Sequence, residues 1–167
     1  MEALAESAIR NSFVNCSKGE AKRLTLPGRL VDIAWQDLDF LGWRDPKAQN
    51  NAYVVLQRDD ALVGLALQSA TQPKGRVKRS MCAFCCTVHG AADVSLFSAR
   101  RVGAAGRLGN TVGTYACADL ACCLYVRGKR VPTGPKGASE GLSVDERIER
   151  TITNLNKFVD EVLIDNA

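Results

Sequence analysis

The stretch "MCAFCCTVHG", residues 81–90, contains three cysteines within five positions, and "YACADLACCLY", residues 115–125, contains three more. The chain has seven cysteines, and only Cys16 lies outside these two clusters. Cysteines concentrated in this way serve a metal, a disulfide framework or redox chemistry, and the compartment of the protein helps to decide between them.

The sequence favours a reducing compartment. Its N-terminus lacks the basic, apolar and small-residue pattern of a secretory signal, and no apolar run approaches the roughly 18 residues of a membrane span. We therefore expect a cytoplasmic protein without a membrane partner. Thiols stay reduced in the cytoplasm, so clustered cysteines there favour metal binding or redox chemistry over structural disulfides.

The spacing of the cysteines predicts one structural zinc ion. Cys82-Ala-Phe-Cys85 has the spacing of a knuckle, a tight turn that lets two thiolates converge on one ion. Cys117 and either Cys122 or Cys123 supply the second pair, and a helix beginning near Leu120 favours Cys122. Four sulfurs fill a tetrahedral shell and leave no position for a catalytic water.

Redox chemistry and a histidine ligand are the alternatives to a zinc site with four cysteines. A redox Cys-x-x-Cys would explain the first cluster but would leave the second without a task. His89, the only histidine, could replace one cysteine as a ligand, although a surface or hydrogen-bonded histidine is the simpler reading. Cys16 and Cys86 are interpreted as small packed residues. Because no nucleophile motif or paired general acid and base is present, we expect neither an enzyme nor a small-molecule substrate.

The pattern along the chain predicts an α+β fold. Residues 2–15 resemble a short helix, and "AYVVLQ" and "LVGLALQSA" read as a β-hairpin around Asp59-Asp60. "ADVSLFSARR" and "TVGTYAC" are predicted strands joined by a glycine-rich turn at residues 103–110. We expect an N-terminal α/β portion over residues 1–73 and a zinc-binding portion over residues 74–167, which could form one continuous domain.

The C-terminal segment predicts an amphipathic helix. Ser143 and Glu146 have the spacing of a capping box, which marks a helix start. Apolar residues then recur every three or four positions, as they do on a helix with one buried face. These residues are Val144, Ile148, Ile152, Leu155, Val159 and Val162, with Phe158 at the edge of the stripe.

The charge is unevenly distributed along the chain. Residues 74–136 carry 11 basic and 2 acidic side chains, whereas residues 1–73 carry 8 and 9, and residues 137–167 carry 3 and 7. A concentrated basic surface attracts nucleic acid or an acidic protein. The candidate contact residues are Arg100, Arg101, Arg107, Arg127, Lys129 and Arg130.

With the two clusters in place, "MCAFC…DVSLFSARR…GNTVGTYACADLAC" resembles the treble-clef domain of the elongation factor G-binding proteins, the family of the fusidic-acid resistance proteins. "LTLPGRL…LDFLGWRDP…AYVV" is similar to the leading part of the actinobacterial branch of that family. The resemblance implies a four-ligand zinc and binding to elongation factor G, the ribosomal translocase. In the resistance members, this binding frees the factor from ribosomes stalled by fusidic acid.

The resemblance also implies aromatic contacts with the factor. The family positions that match are Phe84 in the knuckle, Tyr115 before the third ligand, and Phe158 near the end of the C-terminal helix. We expect the tight metal-bound turn to display Phe84 at the surface, and Phe158 to lie where a partner can reach it. Two departures argue against resistance activity: Val112 occupies the place of a lysine, and residues 50–70 read as a hairpin rather than a helical bundle. The alternative function is a zinc module that binds rRNA or DNA through its basic surface.

Overall fold

The computed structural model describes residues 1–70, 79–133 and 141–164. Its framework is an antiparallel sheet of five strands in the spatial order first, second, third, sixth, seventh, and a two-stranded ribbon adjoins it. In chain order the strands are β1 (Phe40–Arg44), β2 (Asn51–Arg58), β3 (Ala61–Ser69), β4 (Ser80–Met81), β5 (Val88–His89), β6 (Val94–Arg100) and β7 (Thr111–Cys117).

Five α-helices accompany these strands in the described part of the chain. They are α1 (Glu6–Asn11), α2 (Lys18–Arg23), α3 (Gly103–Arg107), α4 (Cys122–Val126) and α5 (Val144–Leu163). The predicted α+β class is confirmed, and so is the long C-terminal helix with its Ser143–Glu146 capping box. No helix of the described residues has the length and apolarity that crossing a bilayer requires.

The five-stranded sheet buries a separate apolar cluster on each face. On one face, Ile9 and Leu24 from the N-terminal segment pack against Trp43, Tyr53 and Val55 of β1 and β2. On the other face, α5 and the two cysteine segments pack over Phe40, Val54, Leu65, Leu67, Phe97 and Val112. The alternation of side chains along each strand produces this division, because neighbouring residues point to opposite faces.

The predicted hairpin is present, with Asp59 in the left-handed turn between β2 and β3 (φ 51°). The first helix is shorter than predicted because the chain leaves helical geometry after Asn11. Phe13 forms a bridge with Gly64, and Val14 N–H donates to Gly64 O at 3.0 Å. Main-chain bonds to β3 thus replace the helical bonds that residues 12–15 would have made.

The glycine-rich turn at residues 103–110 is a second difference from the prediction. It contains the short helix α3, whose end is closed by bonds from Leu108 N–H to Ala104 O and from Asn110 N–H to Ala105 O. Alanines at positions 104 and 105 favour helix, and the prediction gave more weight to the glycines around them.

The predicted boundary between the two portions falls within residues 71–78, outside the described residues, and residues 134–140 of the predicted loop over 128–141 also lie outside them. The sheet itself contains strands from both portions. Leu67, Gln68 and Ser69 of β3 pair with Ala99, Ser98 and Phe97 of β6. A single sheet therefore joins the N-terminal hairpin to the cysteine-bearing segment.

We predict that Gly42→Ala destabilises the protein by about 1–3 kcal/mol, because overpacking in a core costs that much. A Cβ atom on Gly42 would lie 2.8 Å from both Cβ and O of Leu120, which is buried between Cys117 and Cys122. Denaturant unfolding measures the change.

Gly141→Ala is the matched control, since a Cβ atom there meets no described atom within 4 Å. Equal stability of the two variants would contradict the tight packing of β1 on the second cysteine segment.

Candidate metal centre

Four cysteine side chains meet at one end of the sheet. Cys82 and Cys85 lie in a turn after β4, in which Cys86 N–H donates to Cys82 O at 2.9 Å. Cys117 is the last residue of β7, and Cys122 is the first residue of α4. The four sulfurs lie within 4.8 Å of one another, and all four residues are buried.

The geometry fits one structural zinc ion. The Sγ atoms of Cys82 and Cys122 are 3.7 Å apart, and those of Cys85 and Cys117 are 3.5 Å apart. Tetrahedral coordination with Zn–S bonds of about 2.3 Å places sulfurs about 3.8 Å apart. Main-chain N–H groups of Cys85 and Cys117 also donate to Cys82 Sγ, at 3.5 and 3.4 Å, as expected for a sulfur that carries negative charge.

The structure separates the two candidates for the fourth ligand. Cys122 Sγ points into the cluster, whereas Cys123 Sγ lies 3.4 Å from Asp39 N and 3.6 Å from Phe40 O. Burial raises the pKa of the Cys123 thiol, which suits a neutral packed residue. The start of α4 at Cys122 determines which of the two adjacent thiols faces the cluster.

The chemistry of the cluster calls for a cation. Hydrogen bonds to the sulfurs of Cys117, Cys82 and Cys85, followed by burial, raise the pKa of the Cys122 thiol well above its usual value. Four buried thiolates would repel one another, and a bound dication removes that repulsion because a coordinating thiol is deprotonated outright. Zinc would therefore displace protons as it binds and supply folding free energy in this segment.

His89 lies beside the cluster rather than in it. Its side chain is buried, its Nε2 is 3.2 Å from Cys117 Sγ, and its ring packs edge-on against Tyr125. An Nε2–H group at this position can donate to the sulfur and offset part of the thiolate charge. The sequence left open whether His89 binds metal, lies at the surface or is hydrogen-bonded, and the pairing of β5 with β4 places it against Cys117.

The expected exposure of Phe84 is wrong. The side chain is 1% exposed and packs against Phe158, with 5.7 Å between ring centroids. Helix α5 covers the knuckle, and Asn154 Nδ2 and Arg150 Nη2 donate to the carbonyls of Phe84 and Cys85 at 3.0 and 3.1 Å. The knuckle is too tight to bury the Phe84 side chain by itself, and α5 supplies the apolar surface against which this side chain packs.

The expected accessibility of Phe158 is wrong for the same reason. Its side chain is 6% exposed and belongs to the core cluster that contains Leu155, Val159 and Val162. Tyr115 differs from both phenylalanines, because its side chain is 52% exposed on β7. Of the three aromatic residues singled out in the sequence, Tyr115 alone presents its ring to solvent.

Most of the basic residues that were predicted to contact a partner bind groups within the protein instead. Arg127 forms two bonds to Asp39, at 2.6 and 2.9 Å, which raise the pKa of this arginine. Lys129 pairs with Asp37 at 2.5 Å, Arg130 pairs with Asp119 at 2.7 Å, and Arg101 donates to the carbonyl of Glu161 in α5. Arg100 and Arg107 are exposed and have no ion pair among the described residues.

We predict that Cys122→Ser abolishes stoichiometric zinc binding, because it removes one of four ligands, and that chelation of the wild-type protein unfolds this segment. Zinc content by elemental analysis and melting by circular dichroism measure both effects.

Cys123→Ser is the matched control and should retain one zinc per chain, since its sulfur faces β1 rather than the cluster. Zinc loss in Cys123→Ser with retention in Cys122→Ser would contradict the assignment, as would a metal-free protein that melts like the untreated one.

We also predict that Phe84→Ala lowers the free energy of unfolding by about 3–5 kcal/mol, the usual cost of removing a buried phenylalanine ring. Tyr115→Ala should change it by only about 0.5 kcal/mol, as surface substitutions do. Thermal and denaturant unfolding of the two variants tests this contrast, and a small effect of Phe84→Ala would contradict the covering of the knuckle by α5.

The comparisons with known proteins agree with this geometry. Neither the curated proteins nor the solved structures searched contain a match to the chain. The family model of the FBP C-terminal treble-clef zinc-finger matches residues 8–162, which include the sheet, the four clustered cysteines and most of α5. The chain therefore belongs to the FBP C-terminal treble-clef zinc-finger family.

Proposed function

We propose that this protein binds translation elongation factor G and modulates release of the factor from the ribosome. It acts as a non-catalytic adaptor in the cytoplasm, where ribosome and factor meet, and its zinc serves the scaffold. The family relationship supports a role in factor binding. One observation indicates which surface of the protein binds the factor. Tyr115 is half exposed on a strand that ends in the cysteine cluster.

The backbone of Tyr115 is held from both sides. Tyr115 lies opposite Leu96 in the pairing of β7 with β6, and Ala83 N–H, within the knuckle, donates to Tyr115 O at 2.7 Å. An aromatic side chain on so rigid a strand loses little conformational freedom when a partner covers it, which is why such residues are frequent anchors of protein interfaces. Zinc would contribute by holding the knuckle against this strand.

The charge near Tyr115 favours an acidic protein over nucleic acid. Arg127, Lys129 and Arg130 already have carboxylate partners, which leaves Arg79, Arg100 and Arg107 as the exposed basic residues without an ion pair in the described part of this segment. Arg100 and Arg107 remain exposed and can steer an acidic partner. A nucleic-acid-binding module would need more of the basic side chains to face solvent unpaired.

The proposal covers factor binding and does not extend to drug resistance. Val112 occupies the place of a lysine in the resistance proteins, and its side chain is buried with the α5 cluster. The face of β7 that Val112 occupies is opposite to that of Tyr115. The lysine of the resistance proteins therefore has no counterpart beside Tyr115 in the proposed interface.

We predict that purified elongation factor G binds this protein and that Tyr115→Ala weakens the affinity at least about tenfold, as loss of a central aromatic anchor does. Isothermal titration calorimetry with the zinc-loaded protein measures the change, and melting temperature and zinc content should stay at wild-type values.

Val31→Ala is the matched control, since Val31 is 79% exposed in the N-terminal segment, away from β7. Wild-type affinity of Tyr115→Ala would refute the assignment of this surface. A protein that captures only RNA, with affinity that falls steeply as salt rises, would instead support the nucleic-acid module.

A further inference from the structure

One part of the sheet surface around Tyr115 extends well beyond that residue. The N-terminal helices cover the face of β1, β2 and part of β3, whereas among the described residues the same face stays accessible from Leu96 to Arg100 of β6 and from Thr111 to Tyr115 of β7. We call this area the β6–β7 surface. Its residues are Leu96, Ser98, Arg100, Thr111, Gly113 and Tyr115, which lie opposite one another in pairs.

Gly113, at the centre of the β6–β7 surface, has no role in the fold that requires a glycine. Its φ is not in the left-handed region, and a Cβ atom there would meet Leu96 Cδ1 at 3.6 Å and Phe97 O at 3.8 Å, which are ordinary contacts. A glycine within a strand weakens it by about 0.5–1 kcal/mol relative to alanine. Glycine within a strand often marks a bulge, a bend or the close approach of another backbone, and the unbroken pairing of β7 with β6 around Gly113 leaves no bulge there.

The residues around Gly113 indicate the chemistry of the partner segment that would bind there. Leu96 and Tyr115 form an apolar wall on one side, and Arg100 and Thr111 lie about 7 Å further along the strands, two residues at about 3.3 Å each. A cleft of about 150 Å³ continues from Arg100, Thr111 and Ser98 towards Asn15 and Cys16. The surface is therefore a shallow trough with an apolar end and a basic end.

The basic end is available to an external carboxylate. Arg100 makes no ion pair with the described residues, although it faces Glu20 across the cleft. The pKa of the Glu20 carboxyl is lowered mainly by its hydrogen bonds with Ser17 at its own helix start, and to a smaller extent by Arg100. Glu20 Oε2 accepts from Ser17 N–H at 2.7 Å as part of a capping box. A partner that brings a carboxylate to this place would complement the arginine.

We infer that an extended, acidic segment of the bound factor lies across the β6–β7 surface, with its main chain against Gly113, an apolar side chain between Leu96 and Tyr115, and a carboxylate at Arg100. This inference rests on the proposed function, because it names the segment that elongation factor G contributes. It adds a specificity-determining position, Gly113, at which a side chain excludes the partner without disturbing the fold.

The test compares binding with stability in Gly113→Val and Gly113→Ala. We expect Gly113→Val to melt at or above the wild-type temperature, because valine favours strands. Its affinity for elongation factor G should fall about tenfold or more, because the valine side chain would occupy the space of the partner's main chain and break the contacts made there. The affinity of Gly113→Ala should fall by a smaller factor, because its side chain is smaller. Calorimetric titration and thermal melting of the zinc-loaded full chain supply both quantities.

Two further variants complete the design. Gly141→Ala is the matched glycine control and should bind like wild type, because its new Cβ atom lies off the sheet with no described atom within 4 Å. Arg100→Glu should weaken binding at least about fivefold and flatten the dependence of affinity on salt, as loss of an attractive charge pair does.

The outcomes separate the two proposals. If wild type binds and Tyr115→Ala is weak, but both Gly113 variants bind like wild type, the close approach at Gly113 is refuted while the proposed function stands. If Gly113→Val loses zinc or melts early, Gly113→Ala decides alone. Failure of the wild-type protein to bind elongation factor G refutes the proposed function, and this inference with it.

Discussion

The convergence of four cysteine sulfurs is the constraint on which the rest of the structure depends. It joins the turn at Cys82–Cys85 to the end of β7 and the start of α4, and it does so through two loops with unfavourable backbone geometry. Cys86 and Leu120 both adopt left-handed φ angles, 59° and 55°, which side chains with a Cβ atom rarely adopt. Zinc coordination and burial of Leu120 against β1 supply the free energy that holds these loops in place.

Once the knuckle is held, α5 can cover it, and this decides which side of the protein can meet a partner. Asn154 and Arg150 bind the knuckle carbonyls, and Phe158 meets Phe84, so the surface of the turn becomes core. The opposite face of β7 is exposed from Thr111 to Tyr115 among the described residues, because the N-terminal helices reach only as far as β3. Helix α5 thus packs over the face that carries Val112 and Ala116, whereas Tyr115 lies on the other face, next to the edge at which Cys117 enters the cluster.

The basic segment illustrates how tertiary contacts change the meaning of composition. Its excess of positive charge in sequence suggested a broad surface for an acidic partner or for RNA. Asp37 and Asp39 lie some ninety positions earlier in the chain. They form ion pairs with Lys129 and Arg127, respectively, and so neutralise part of that charge. Among the described residues of the segment, Arg79, Arg100 and Arg107 remain exposed without an ion pair, and the last two lie in the β6–β7 hairpin.

The sequence by itself determined the α+β class, the hairpin of β2 and β3, the limits of β7 and the capped start of α5. Local spacing and periodicity carry that information, as they do for Cys82 and Cys85, which have two residues between them. The predicted helix start favoured Cys122 as the fourth cysteine, and the structure places this residue in the cluster. The tertiary structure alone decided that Phe84 and Phe158 are buried and that His89 contacts Cys117. Each of these depends on a helix or strand from a distant part of the chain, which no local pattern at these residues encodes.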